Sequence, residues 1–187
     1  MEVNLSEFKK NIISWYPINE NQTVLQIGKN PEINEELKQK TNNVTVVENL
    51  KNQEIASNFD FVIIIGELEK LESEKEIIET LKFAKKALKE NGKILIAMQN
   101  KFGMKYWSGQ RINKVFTPYQ TIEASTENIL SLPKIKQILD TQNLKYKFYY
   151  PLPDYNFTNV IYTDEFLPDN ESIDARVLTY CEHDEVL

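Results

Sequence analysis

Three short runs rich in β-branched residues constrain this chain more than anything else in it. They are Thr23-Val24-Leu25-Gln26-Ile27-Gly28, Val44-Thr45-Val46-Val47-Glu48 and the stretch from Phe59 to Gly66. Runs of this length and composition read as strands buried on both faces. The segments between them read as helices or tight connections. Strand–helix–strand alternation implies a parallel sheet with right-handed crossovers. Such sheets hold ligands outside the carboxyl ends of their strands, where the strand order reverses. Gly28, Glu48 and Gly66 end the three runs and so stand at that lip.

The remaining elements fit around this sheet. Leu5, Phe8, Ile12 and Tyr16 recur at helical spacing, with Asn4 and Glu7 placed as a capping-box-like pair, which predicts a helix from Asn4 to Tyr16 stopped by Pro17. Pro31 suits the first turn of a helix running to about Lys40. Only about ten residues separate Glu48 from the next run, which leaves room for one short helix near Asn52 to Ser57 and no further strand. Ser73 and Glu76 form a capping box for a long helix with Ile77, Ile78, Leu81, Ala84 and Leu88 on its buried face. Asn91-Gly92 reads as the αL cap that ends it, and Lys93 to Met98 as the next strand. Residues Gln110 to Asn128 lack a clean period and read as loop. Ser131 and Pro133 open a helix to about Asp140. Leu144 to Tyr150 and Asn159 to Thr163 read as strands joined by a Pro151-Leu152-Pro153-Asp154 turn, an antiparallel pair at the sheet edge. The expected domain is residues 1–165, with 166–187 as an acidic tail.

Composition excludes several functions. The net charge of −6 argues against a nucleic-acid backbone or an anionic membrane as partner. The single cysteine, Cys181, excludes a disulfide within the chain. With His183 the only histidine, no Cys/His zinc cluster is available. No apolar run approaches the roughly 18 residues of a membrane span, and Met1-Glu2-Val3-Asn4 has no signal-peptide character, so a cytoplasmic protein is expected.

The order of these pieces resembles a class I S-adenosylmethionine-dependent methyltransferase from roughly Asn21 to Asp164. VLQIG, VTVVE and FDFVIIIGELEKL stand for its first, second and central strands, and ALKENGKILIAMQN for its leader–Gly–strand element. QNKFGMKYWSG and YKFYYPLPDYNFTNVIYTDEFLP resemble methyltransferase domains beside bacterial glycosyltransferases in surface-polysaccharide assembly. The resemblance implies a Rossmann-like α/β fold, mostly parallel with an antiparallel edge pair, and S-adenosylmethionine as cofactor. It implies cofactor contacts from Gly28, Glu48, Gly66 and Leu68. Gln99, Tyr106 and Trp107 fall on the substrate side, with Glu67 and Asn100 as the catalytic candidates.

The departures bear on function. The family's first loop has the form GxGxG because its backbone passes close to the cofactor with positive φ. Here Gly28 is followed by Lys29, Asn30, Pro31 and Glu32. The helix and third strand that the family places before its central strand, next to the adenine, have no room between Asn49 and Asn58. Two readings follow. One is a methyltransferase-like module with a degenerate cofactor motif that binds a protein partner, such as an enzyme of bacterial glycan assembly. The other is an active enzyme that methylates a hydroxyl or amine of a small or glycan substrate. Each candidate also has a plain structural role open to it: Glu48 as a strand end, Glu67 as a turn cap, Tyr106 and Trp107 as packing. A dehydrogenase is disfavoured, because its GxGxxG fingerprint is missing as well.

Overall fold

A computed structural model describes residues 9–50, 57–103, 129–152 and 154–167. Four strands form a parallel sheet in the order β2-β1-β3-β4: β1 (Val24–Ile27), β2 (Val44–Val47), β3 (Phe59–Ile65) and β4 (Leu88–Ala97). A separate two-stranded antiparallel sheet pairs β5 (Tyr149–Leu152) with β6 (Val160–Thr163). The fold is the Rossmann-like α/β arrangement that the strand runs imply. Among the described residues β2 pairs only with β1 and ends the sheet, as expected if one helix–strand unit is missing. Its Val46 is correspondingly exposed.

Side-chain alternation along β3 builds a core on each face of the sheet. Val62 and Ile64 join Leu25 and Ile27 on one face, beneath α3 (Glu74–Ala87) and α4 (Leu132–Thr141). Phe61, Ile63 and Ile65 join Val24 on the other, against α1 (Asn11–Ser14) and α2 (Pro31–Lys40). All five apolar residues from Phe61 to Ile65 are buried, so the expectation of a central strand holds.

Local chemistry sets most helix ends. Asn30 accepts a hydrogen bond from the Ile33 N–H, and Pro31 follows it in the first turn of α2. Ser73 caps α3 by accepting from the Glu76 N–H, while the Glu76 carboxylate reaches back to the Glu72 N–H. Ser131 occupies the N-cap position of α4 without a side-chain cap bond.

Several boundaries differ from the expectation. The strand expected over Leu144 to Tyr150 is confined to Tyr149–Leu152. The αL cap is not at Asn91-Gly92: α3 stops at Ala87, and Leu88 pairs with Phe59. The register then jumps so that Phe61 meets Lys93, which makes Lys89–Gly92 an irregular insertion in the ladder. A Cβ on Gly92 would lie 3.0 Å from the Phe59 carbonyl and 2.8 Å from Leu88 Cδ2, so this glycine serves close approach. The left-handed terminator sits instead on α4, at Asn143 with φ +52, where the Leu144 N–H donates to the Leu139 carbonyl. Finally, Pro151 is not in a turn. It belongs to β5 opposite Ile161, in a sheet of two strands among the described residues, where an edge position tolerates a missing N–H.

The start of the N-terminal helix, the short helix near 52–57 except Ser57, the 110–128 loop and residues 168–187 lie outside the described residues.

Candidate functional site

Strand order reverses between β1 and β3: β1 leads to β2 on one side, and β3 leads to β4 on the other. The crevice outside their carboxyl ends is where an open α/β sheet receives a ligand. Gly28 and Gly66 leave these two strands with φ +95 and +67, conformations that side chains with a Cβ resist. Both extend the ladder to the lip. The Gly28 N–H donates to the Val47 carbonyl at 2.8 Å and the Gly66 N–H to the Ala97 carbonyl at 2.9 Å.

The loop after β1 is pinned from beneath by Gln26, which is buried. Its Nε2 donates to the carbonyls of Gly28 and Asn30, at 3.3 and 3.0 Å, and its Oε1 accepts from Asn34 Nδ2 at 3.3 Å. At the start of α2 the Glu32 carboxyl is held below its usual range, first by its own backbone N–H and, against slight burial, by Lys9.

Two acidic residues after β3 cover the lip. A Cβ on Gly28 would lie 2.2 Å from both Cγ and Cδ of Glu67, so the Glu67 side chain rests directly on the glycine. Glu67 Oε1 accepts from Lys70 Nζ at 2.8 Å. Glu69 is buried at 6% exposure. Its Oε1 accepts from the Tyr155 hydroxyl at 2.5 Å and its Oε2 from the Gln99 N–H at 2.8 Å. That hydroxyl stands over Gly66, 2.8 Å from where a Cβ would lie. Burial, and then the Glu69 carboxylate, push the Tyr155 hydroxyl well above the usual tyrosine range.

The structure thus brings Gly28, Gly66 and Glu67 together. Glu48 follows Val47, the residue bonded to Gly28; it is exposed and makes no hydrogen bond or ion pair with a described residue. Leu68 is fully buried, its side chain in the core beneath the lip. Gln99 joins the site through its backbone N–H. Asn100 is exposed, and its Oδ1 accepts from the Phe102 N–H at 3.2 Å within a local turn. Tyr106 and Trp107 lie outside the described residues. Sequence reasoning missed Gln26, Glu69 and Tyr155. Gln26 had a signal, a lone amide inside an apolar strand; Glu69 and Tyr155 had none. A cavity of about 430 Å³ opens at the other end of the sheet, lined by Asp60, Lys89, Gly92 and Lys93 among others, and includes none of the lip residues. Among the described residues no cluster of His, Cys, Asp or Glu could hold a metal ion, and no helix is long and apolar enough to cross a membrane.

No protein-family model matches the chain, and no curated protein matches it in sequence. Solved structures do match its fold. One is phosphoethanolamine N-methyltransferase 1 of Haemonchus contortus, in complex with phosphoethanolamine and S-adenosylhomocysteine. It aligns at TM-score 0.56 and 16% identity over 77% of this chain and 34% of that one. The pyocyanin biosynthetic protein PhzM aligns at 0.55 and 12% identity over 79% of this chain and 51% of that one. A SAM-dependent methyltransferase from Aquifex aeolicus aligns at 0.50 and 16% identity over 79% and 85%. The chain therefore spans about a third of the first and half of the second. At these identities the likeness establishes the fold: that of the class I methyltransferases. The Glu67 side chain occupies the space on the Cβ side of Gly28.

Proposed function

We propose that residues 1–165 form a non-catalytic methyltransferase-fold module that binds a protein partner, with 166–187 as its acidic tail. The observation that carries this reading is the packing of Glu67 on Gly28. A cofactor that is not seated cannot be positioned for transfer, and positioning is most of what methyl transfer requires of a protein. Lys29 and Pro31, where the family has small residues, support the same reading. The resemblance of QNKFGMKYWSG to domains beside bacterial glycosyltransferases supports a cytoplasmic enzyme of glycan assembly as the partner.

A second reading has its own observation. Gly28 and Gly66 keep positive φ, and Glu48 exposes an unengaged carboxylate at the end of β2. An active enzyme on this frame would hold S-adenosylmethionine between Gly28, Glu48 and Gly66. Glu67 and Asn100 would serve as its catalytic residues, Asn100 aligning a hydroxyl or amine acceptor, with Gln99, Tyr106 and Trp107 as the substrate-side candidates.

Calorimetric titration with S-adenosylmethionine and S-adenosylhomocysteine separates the two. The module reading expects no binding up to about 1 mM ligand. Micromolar binding, with amide shifts at Gly28, Glu48 and Gly66 that vanish in Glu48→Ala, overturns it in favour of the enzyme.

A further inference from the structure

We propose that residues 168–187 dock within the same chain on an aromatic patch formed by Trp15 and Tyr149, with Val177-Leu178-Thr179-Tyr180 against the rings and the flanking carboxylates against the lysines beside them. The proposal does not depend on whether the lip binds a cofactor. At this patch large apolar surface lies uncovered next to positive charge. Trp15 and Tyr149 stand 5.0 Å apart between ring centroids and are 42% and 39% exposed. Lys147 Nζ lies 5.9 Å from the centre of the Tyr149 ring. On the other side, Lys40 Nζ donates to the carbonyls of Ser14 and Tyr16, the neighbours of Trp15, at 2.6 and 3.2 Å. Among the described residues no carboxylate pairs with Lys40. Two cations thus flank two half-exposed rings.

The sequence of residues 168–187 is the complement of that pattern. Val177-Leu178-Thr179-Tyr180 is a short, largely apolar run with acid on both sides: Asp169, Glu171 and Asp174 before it, Glu182, Asp184 and Glu185 after it, against Arg176 alone. The chain also enters the segment at the patch. Glu165 accepts from Lys147 Nζ at 3.2 Å through both carboxylate oxygens. Thr163 and Phe166 exchange backbone hydrogen bonds around it, which fixes the start of the segment beside Lys147. Phe166 and Leu167, the last two described residues, are exposed. The ten steps from Leu167 to Val177 reach up to about 33 Å, ample for a return over Tyr149 and Trp15. A tether this short sets an effective concentration of the order of mM, so a contact too weak to hold two molecules together can form within one. Aromatic rings favour it further, since they offer rigid apolar area at little entropic cost.

The test is acrylamide quenching of Trp15 in the whole chain carrying Trp107→Phe, which leaves Trp15 as the only tryptophan. It is compared with the same chain carrying Leu178→Asp and Tyr180→Ser, and thermal melts confirm that both are folded. Docking predicts that these two substitutions raise the quenching constant at least about threefold, because they remove the cover from the ring. Salt at about 0.5 M should move the parent chain toward the variant, since the flanking contacts are ionic. Equal quenching in the two chains overturns the proposal. Cover that is lost on dilution, with dimers in sedimentation, also overturns it, because the segment would then come from a second copy. Should Trp107→Phe fail to fold, hydrogen exchange in the unsubstituted chain reads the same contact: protected amides at 177–180 support docking, and unprotected ones overturn it.

Discussion

Tyr155→Phe tests the wall over Gly66 and its cost can be worked from the contacts. The substitution keeps the ring and removes the hydroxyl that donates to Glu69 at 2.5 Å. Glu69 is then left buried with the Gln99 N–H as its remaining donor among the hydrogen bonds described. A hydrogen bond to a charged group contributes about 1.5–3 kcal/mol, so a loss of about 2 kcal/mol is expected. Glu69→Gln keeps an acceptor for either donor but brings an amide N–H₂ into the same enclosure, for an expected loss of about 1–2 kcal/mol. The double variant should lose about 1 kcal/mol less than the sum, because one interaction is counted twice. Urea unfolding followed by circular dichroism gives all four corners of the cycle. Tryptophan emission reports the hairpin side, since Trp15 lies 5.0 Å from Tyr149 between ring centroids. The pH dependence is an independent check. Burial and Glu69 raise the folded-state pKa of Tyr155 above its unfolded value near 10. Its stabilisation is therefore fully present below about pH 10 and lost as pH rises above that, a slope Tyr155→Phe should lack. Additivity of the single variants within about 0.3 kcal/mol, with an unchanged alkaline limb, would refute the contact.

Three further outcomes follow from neighbouring geometry. Gly28→Ala should cost about 2 kcal/mol, part from the positive φ and part from displacing Glu67; Glu67→Ala in the same chain should recover only the second part, read in urea melts. Asp60 Oδ2 accepts from Lys89 Nζ at 2.7 Å, the Thr23 N–H at 2.8 Å and Thr23 Oγ1 at 2.9 Å. Lys89 first, and then the Thr23 backbone, hold the Asp60 carboxyl below its usual range. The stability it supplies is present above its unfolded pKa and is lost as pH falls through the folded one, so Asp60→Asn should flatten the stability profile below about pH 4. Gly92→Ala should cost about 1–3 kcal/mol in a thermal melt, because its Cβ must push Leu88 and the Phe59 carbonyl aside; a change under about 0.5 kcal/mol would show that the insertion in β4 yields freely.

Much of the fold was legible because its signals are local. The β-branched run from Phe59 to Ile65 is central in any sheet that buries it, and β3 has those bounds. Pro31 and the lysines near Lys40 mark α2 from end to end. The failures share a cause in tertiary pairing. Asn91-Gly92 carries the composition of an αL cap, yet the pairing of Leu88 with Phe59 claims the chain four residues earlier. Pro151 carries the composition of a turn, yet an edge with no neighbour among the described residues lets it stay in a strand. Glu69 was illegible for the same reason. An acidic residue one turn beyond a strand looks solvated until Tyr155, far along the chain, arrives to bury it.

The lip shows why such a fold can be read from sequence while its state cannot. Gly28 and Gly66 mark a backbone that must take positive φ and admit something close. The residue type is the same whether the visitor is a ligand atom or one of the chain's own side chains. In this chain Glu67 and the Tyr155 hydroxyl are the visitors, and both arrive through rotamers rather than through strand geometry. A parallel sheet without its third strand still builds the crevice, because the reversal between β1 and β3 depends only on β1, β2, β3 and β4. Retention of the crevice is thus a property of topology. Its closure depends on side-chain contacts of which the Glu67–Lys70 part is partly exposed, where an ion pair contributes only about 0–1 kcal/mol.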